Sequence, residues 1–558
     1  MVRLTDYPRP QLVRKSYMSL CGLWNYKIQK DDTLPINYDG KINVPYSPEA
    51  TLSGVNKTVM PDDFLFYNLK IELPNDLVND KLFIHFGAVD QICDLFINNQ
   101  YVGSHEGGFL PFAFDIKAFV LSNQIDITLR VKDYSDTQYH ARGKQRIKRG
   151  GIWYTAQAGI YMPVWLEGVS NDYIENIIIT PNIDLNEVVL NIKSSAKEAL
   201  IDIFDSKLRV NTNVDIHIKV SKMILWSPEN PHLYYFKAST NHDEVTSYFA
   251  MRKFSLVKDD AGITRLGLNN KPYFMKGLLD QGYYQDGLLT PRDDKDYIDD
   301  IMLAKNLGFN TLRKHIKIES LRFYYHCDRL GMIVWQDFVN GGGKYNLFTI
   351  GLPVITGLHH HDTHYKMFAR TDEIGRQKAL QEFVATIKLL YNVPSIALWT
   401  IFNEGWGQFD SKMVYQELLK SDNTRIYDHA SGWHDQGISD TKSLHVYFKR
   451  VKMPKAKAIK GRAIILSECG GYSLKTTNHM FSNKAFGYKK LNSREALEKE
   501  YAKFIKRDIL PNIPKGLSAF IYTELSDVED ELNGFVTYDR EVIKVETETI
   551  KKINDLVK

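Results

Sequence analysis

From about residue 258 to the end of the chain, short runs of apolar, β-prone residues alternate with helical segments of 10 to 15 residues, and this alternation constrains the fold more than any other feature. "PYFMKGLLD" reads as a strand, and "RDDKDYIDDIMLAKNLG" as a helix with an acidic first half and a glycine stop. "TLRKHI", "IESLRFYYHCDRLG" and "MIVWQDF" continue the pattern as strand, helix, strand. Further on, "IGRQKALQEFVATIKLLYN" is a helix before the strand "IALWTIFNE", and "SLHVYF", "AIILSECG" and "GLSAFIYTEL" are later strands. Strands separated by helices run parallel, with right-handed crossovers. Three hundred residues of such repeats (258–558), with polar side chains at the strand ends, predict a (β/α)8 barrel. A doubly wound sheet is the structural alternative, but no glycine-rich phosphate loop opens any of these helices.

The first 257 residues have a different texture. Residues 1–170 alternate short Val, Ile, Phe and Tyr runs with turn residues; "INNQYVG" predicts a tight hairpin and "EGGF" a second turn, so this region is an all-β sandwich. Residues 171–257 stay β but are more polar and shorter in period, closing with "LWSPENPHLYYFKA" and "SYFAMRKFSL", an immunoglobulin-sized sandwich. Three domains suit 558 residues, too many for one core.

A formal charge of +4 with no clustered basic stripe argues against nucleic acid. The N-terminus lacks the apolar core of a signal peptide, and no window approaches the roughly 18 apolar residues of a membrane span, so no membrane is expected and the location is read as cytoplasmic. Cys21, Cys93, Cys327 and Cys469 are isolated, which predicts reduced thiols and no zinc site. The aromatic content, 12%, suits sugar stacking and sandwich cores equally. Oligomerisation is left open, a homo-oligomer included.

In a barrel, function collects where an apolar strand ends in something polar. Glu404 ends "IALWTIFNE" and Glu468 ends "AIILSE". Each is either the structural partner of a nearby cation or a working acid; together at one barrel mouth they have the layout for cleaving a glycosidic bond. One carboxyl must then stay protonated to donate to the leaving oxygen while the other is ionised to attack.

At these residues the sequence resembles glycoside hydrolase family 2, the family of β-galactosidases, β-glucuronidases and β-mannosidases. "FGAVDQICDLFINNQYVGSHEGGFLPFAFDI" is similar to the family's N-terminal sugar-binding-like jelly roll and "LWSPENPHLY" to its immunoglobulin-like domain. "KGLLDQ", "TLRKHI", "FNEGWG" and "SECGG" are similar to its barrel strands. The resemblance implies a jelly roll, an immunoglobulin-like sandwich and a catalytic barrel in that order, acting on a glycoside without a cofactor or metal. It implies that Glu404 is the acid/base at the end of the fourth strand, Glu468 the nucleophile at the end of the seventh, and the mechanism double displacement with retention.

Around them, Asn403 is expected to bond the sugar 2-hydroxyl and Arg313 to keep Glu468 ionised. His315 either lines the pocket or packs at the strand end, and Asp337 binds a sugar hydroxyl or caps its loop. His445 and Tyr447 share one face of a strand, with Tyr447 orienting the nucleophile. Trp406, Trp433 and Tyr522 are candidate stacking surfaces. Cys469, beside the nucleophile, reads as a small packing residue. "VEDELNGF" is acidic where glucuronidases carry an Asn-x-Lys for the sugar carboxylate, which points away from a uronate and toward a β-galactoside. A glucuronidase, mannosidase or arabinosidase, or a non-catalytic carbohydrate-binding protein, are the alternatives. The segment "GGGKYNLFTIGLPVITGLHHHDTHYKMFARTDEIG" is too long for a simple connection and reads as an active-site rim. Its His359, His360, His361, Asp362 and His364 invite a metal reading, but adjacent histidines do not converge without a special turn.

Overall fold

The computed structural model describes residues 7–77, 79–447 and 449–558, with the backbone alone at 354 and 355. Residues 1–6, on which part of the signal-peptide argument rests, and Phe448 of "SLHVYF" lie outside the described residues.

Eight parallel strands form a nearly closed barrel: β1 (Met275–Asp280), β2 (Thr311–Lys314), β3 (Ile333–Asp337), β4 (Ile396–Thr400), β5 (Ile426–Asp428), β6 (Thr441–Val446), β7 (Ala463–Gly470) and β8 (Leu517–Thr523). β8 pairs with β1, Met275 opposite Ala519. The β5–β6 seam is bridged by side chains, Ser443 Oγ donating to Asp428 Oδ2 (2.8 Å) and Tyr427 N to Asp440 Oδ2 (2.8 Å). The helices begin where the sequence supplies caps. Asp293 accepts from Lys295 N before Asp294–Asn306, Ser320 from Arg322 N before Leu321–Leu330, and Asp372 from Gly375 N before Glu373–Leu390. Gly331, left-handed, ends the second of these.

Two cores sandwich the strands. Met275, Leu279, Ile333, Trp335, Ile465 and Ile521 fill the barrel interior, while Leu278, Leu312, Val334, Trp399, Leu466 and Phe520 face the helices. The bottom is stoppered by the hairpin Phe254–Lys258 and Thr264–Leu268, which straddles residue 258 and packs with Trp226 into the interior cluster. Chemistry is thereby confined to the C-terminal mouth.

The N-terminal region is a sandwich of a six-stranded and a four-stranded antiparallel sheet around Trp24, Tyr67, Phe86 and Leu129. Its expected hairpin joins Ile92–Ile97 to Gln100–Glu106 through Asn98 and Asn99, whose positive φ angles, 52° and 64°, asparagine tolerates. The second sandwich closes around Ile177, Leu190, Ile201 and Phe236. Val13–Arg14 crosses to pair with its strand Glu244–Phe249, and Arg14 bonds both Glu167 and Asp243 at 2.8 Å, tying the sandwiches together. From the first sandwich the segment 138–157 reaches the barrel mouth, where Arg142 N donates to Asn340 O (2.9 Å) and its guanidinium to Gly342 O and Gly343 O. Among the described residues no helix is long and apolar enough to cross a membrane.

Candidate active site

Past the end of β4 the chain turns sharply. Glu404 takes a left-handed φ of 50°, unusual for a residue with a side chain, and its N–H donates to Ser431 O (2.9 Å). Gly405 and Gly407 complete the turn with φ of 73° and 63°. A Cβ on the first would fall 2.7 Å from the His434 ring, and on the second 2.2 Å from Gly341 O, so both positions require glycine. The turn aims the Glu404 carboxyl inward.

Glu468 is aimed by a bulge in β7. Leu444 pairs with Leu466 and His445 with Glu468, so Ser467 is the extra residue and the alternation is re-phased. Cys469 is thereby turned outward, its thiol 3.1 Å from Ile521 O, buried and pushed well above its ordinary pKa by that burial. It packs and is not exposed to reagents.

Arg313, fully buried at the end of β2, organises the floor of the site. It grips Asp337 with Nε and Nη2 (3.0 and 2.9 Å) and donates through Nη1 to Ser467 O (3.0 Å) and Glu468 Oε2 (3.2 Å). Nη2 also donates to Asn403 Oδ1 (2.9 Å), which leaves the Asn403 Nδ2 amide buried without a partner. His315 Nδ1 lies 2.7 Å from Asp337 Oδ2, and burial lowers its pKa to about 4, so it is neutral and donates to that carboxylate. The Tyr447 hydroxyl donates to Glu468 Oε1.

His445, buried at the end of β6, stands between the two acids, its Nε2 3.1 Å from Glu404 Oε1 and 3.5 Å from Glu468 Oε1. Burial opposes its charge, but the Glu468 and Glu404 carboxylates more than offset this and raise it to about 9. Burial pushes Glu468 up as well; there the cations, His445 foremost and Arg313 among them, win and hold it well below the usual carboxylate range. Glu404, also buried, has His445 as its main counterweight and the Glu468 charge against it, and its net shift is upward. The two carboxyls are pushed apart, one toward the acid form and one toward the ionised form. One ligand atom each of Glu404, His445 and Glu468 lie within 4.8 Å of one another, a spacing that a cation could occupy but that a protonated His445 already neutralises.

The half-buried Trp433 donates from Nε1 to Glu404 O (3.1 Å), with its ring 5.0 Å from His445. Trp406 is 2% exposed and packs on Trp153 (5.0 Å between centroids), 6.3 Å from His315; it supports the turn and offers little free face. The expectation for Tyr522 is corrected. Ile521 points into the barrel, so Tyr522 points out to the helices, where it is fully buried and stacked on Phe535 at 5.0 Å. The His359–His364 run does not converge on a point. His359 Nε2 bonds Asp435 O (2.8 Å), His360 N bonds His434 Nδ1 (3.1 Å), and Asp362 takes the Ser411 N–H (3.0 Å), so the segment is fastened beside the Glu404 turn as a rim.

Sequence reasoning missed the residues that complete the mouth. Lys144 Nζ lies 5.9 Å from the centre of the Trp406 ring, Tyr154 OH donates to Glu531 Oε2 (2.6 Å), and Tyr488 stacks on Tyr447 at 3.8 Å. Gln281 and Glu524, following β1 and β8, obey the same strand-end rule that found Glu404.

Three family models match in chain order: "Glycosyl hydrolases family 2, sugar binding domain" over residues 15–167, "Glycosyl hydrolases family 2" over 169–252, and "Glycosyl hydrolases family 2, TIM barrel domain" over 264–464. The last includes Glu404 and stops four residues before Glu468. A β-glucuronidase of Streptococcus agalactiae is 25% identical over 422 residues, 71% of this chain and 68% of that protein. A β-galactosidase of Leuconostoc mesenteroides is 22% identical over 455 residues, 75% of this chain but 40% of the relative's length. The solved β-D-glucuronidase of Dictyoglomus thermophilum superposes with a TM-score of 0.77 at 18% identity, covering 99% of both chains, and so shares the fold. The chain belongs to glycoside hydrolase family 2 and is a glycoside hydrolase.

Proposed function

We propose that the protein is a retaining exo-β-glycosidase that removes a terminal non-reducing sugar, most favourably a β-galactoside. The observation that carries this reading is the carboxyl pair. Oxygens of Glu404 and Glu468 lie within 4.8 Å of each other. That suits the separation of about 5 to 5.5 Å used for a covalent intermediate, not the wider gap of about 6.5 to 9.5 Å that admits a water between them.

Glu468, ionised and held by Arg313, His445 and Tyr447, attacks the anomeric carbon while Glu404 gives its proton to the departing oxygen. Glu404, now a base, takes a proton from water, which attacks the glycosyl ester and returns Glu468 as a free carboxylate. The unpartnered Asn403 amide is placed to donate to the sugar 2-hydroxyl, a bond that strengthens as positive charge develops on the ring. Asp337 and His315 act through Arg313 as its fixed anchor. Trp433, half-buried beside His445, supplies a ring face, and the segment 138–157 and the 341–372 rim are fastened beside the Glu404 turn, an arrangement that suits cleavage from a chain end. The relatives' names include both glucuronidases and galactosidases; the absence of a lysine from "VEDELNGF" favours the neutral sugar.

The test is a panel of 4-nitrophenyl β-glycosides: galactoside, glucoside, mannoside, glucuronide and arabinoside. Turnover should fall by about three orders of magnitude or more in Glu468→Ala and Glu404→Ala, with azide restoring activity to the Glu404 variant on an activated substrate. Inertness of the unmodified protein on the whole panel would refute the reading.

A further inference from the structure

The seam between β5 and β6 divides the catalytic trio. Glu404 stands past the end of β4, which pairs with β5 through Leu398 and Ile426, whereas His445 and Glu468 stand opposite each other on β6 and β7. Among the described residues no ladder joins β5 to β6, so strand pairing leads from the acid to the nucleophile only the long way round, through β3, β2, β1 and β8. Where β6 begins, Asp440 N donates to Tyr427 O (3.2 Å), but nearer the mouth the seam is closed by side chains.

Two serines that the mechanism does not use cross it there. Ser431, fully buried just after β5, continues the pairing with the β4 segment: its N–H donates to Phe402 O (2.8 Å) and its carbonyl accepts the Glu404 N–H (2.9 Å). Its hydroxyl donates to Ser467 Oγ (2.9 Å), and the Ser467 hydroxyl donates in turn to Leu444 O (3.0 Å). Ser467, 1% exposed, is the bulge residue immediately before Glu468, and Leu444 immediately precedes His445. The chain of hydroxyls thus starts from the residue that holds the Glu404 backbone and ends on the residues next to Glu468 and His445.

Charged ties span the mouth as well. Arg313 joins Asn403 Oδ1 to Ser467 O, and His445 lies between the two carboxyls. The serine chain differs from both in kind. A serine oxygen sits one bond beyond Cβ and carries no charge that titrates in the working range, so the narrow range of hydroxyl bond lengths fixes a distance whichever acid holds the proton. Alanine would fill the same places with no polar atom to satisfy.

We propose that Ser431 and Ser467 are positioning residues whose hydroxyls close the open seam at the mouth and set the separation between the Glu404 and Glu468 carboxyls. The proposal rests on the reading of those two as the cleaving pair, and it adds what holds them at their working distance. Attack fixes the sugar on Glu468, so a broken tie lets the proton donor drift from the departing oxygen. The first chemical step then suffers in proportion to the leaving group's need for a proton.

The test is kcat/KM, which reports that first step, on the dinitrophenyl and phenyl β-glycosides of whichever sugar the unmodified protein turns over best. Dinitrophenolate departs without a proton; phenolate needs one. Ser431→Ala should lower kcat/KM about 10-fold or more on the phenyl glycoside and about threefold or less on the dinitrophenyl one. In a Glu404→Ala background, where no donor is left to misplace, adding Ser431→Ala should lower it about twofold or less on either substrate. Ser467→Ala breaks the same chain and serves should the first variant fail to fold. An absence of loss, a loss equal on the two leaving groups, or one carried undiminished into the Glu404→Ala protein would overturn the proposal, since a general loosening of the barrel acts in the latter two ways. Inertness of the unmodified protein on every aryl glycoside would overturn the cleaving pair and the tie together; an active protein whose serine variants respond alike to both leaving groups would overturn the tie alone.

Discussion

The charge on His445 is the hinge of the proposed chemistry, and replacing it with glutamine removes that charge while keeping a neutral donor of similar reach. A unit charge 3.5 Å from Glu468 acts, at an effective dielectric constant near 20, with about 5 kcal/mol, an upper bound of about three and a half pH units on the nucleophile. Glutamine recovers part of this, so a shift of about one unit or more is expected. The direction follows from the balance at each acid. His445 holds both carboxyls down against burial, and without it both rise. The acid limb of kcat/KM, which reports ionised Glu468, moves to higher pH; the alkaline limb, which reports protonated Glu404, moves the same way. The bell slides upward instead of narrowing, and activity near pH 5 falls most. Stability should respond as well. A histidine raised from 6.5 to about 9 contributes stability that is whole below pH 6.5 and lost as pH rises through 9, about 3 kcal/mol over that window. The melting temperature of the unmodified protein should therefore drop between pH 6.5 and 9, and that of His445→Gln should drop less. The assay is kcat/KM on an aryl glycoside from about pH 4 to 9, beside melts at the same values. Limbs that coincide within about 0.3 unit in the two proteins would refute the role given to His445.

Arg313→Met takes the buried cation from Asp337, leaving it only the neutral His315, and takes one of two cations from Glu468, and should cost about 3 to 5 kcal/mol in chemical denaturation, with activity lost; lysine, which cannot make the two-pronged contact with Asp337, should not restore it. Tyr447→Phe removes one charge-assisted donor from Glu468 and should lower kcat about 10- to 100-fold with little change in melting temperature. Gly407→Ala forces a Cβ to 2.2 Å from Gly341 O at a φ of 63°, and should lower both the melting temperature and kcat, because the strained turn carries Glu404.

The alternation of strands and helices made the barrel legible, since its caps and apolar runs are local signals. The strand-end rule located Glu404 and Glu468 because each carries a charge at the end of a run that is otherwise mostly apolar. β5 was not legible: three residues, Ile426–Asp428, carry no period. The side that Tyr522 faces was hidden for a different reason. Both surfaces of a barrel strand are buried, so "AFIYTEL" contains no polar alternation to reveal which residues point inward. The bulge that aims Glu468 has no sequence mark either, because the extra residue, Ser467, is defined only by its pairing with β6. Lys144 and Tyr154 were out of reach of any local reading, lying more than 370 residues from Glu531, their common partner, and in another domain.

That distance explains why the sandwich and the barrel form one working unit. Glu404 sits in a left-handed turn that its own strand does not stabilise, so the support comes from outside. Trp153 of the first sandwich packs on Trp406, two residues past the acid, and Arg142 holds the carbonyls of Gly342 and Gly343 beside Gly341, whose own oxygen bounds Gly407. Lys144 then adds a positive charge, beside those of Arg313 and His445, 5.9 Å from the Trp406 ring and 4.0 Å from Glu531. The segment 138–157 thus clamps the turn that carries the proton donor and adjusts the charge of the pocket beside it. A barrel stripped of that segment would keep both glutamates in its sequence but lose what fixes one of them and what balances the acids around it.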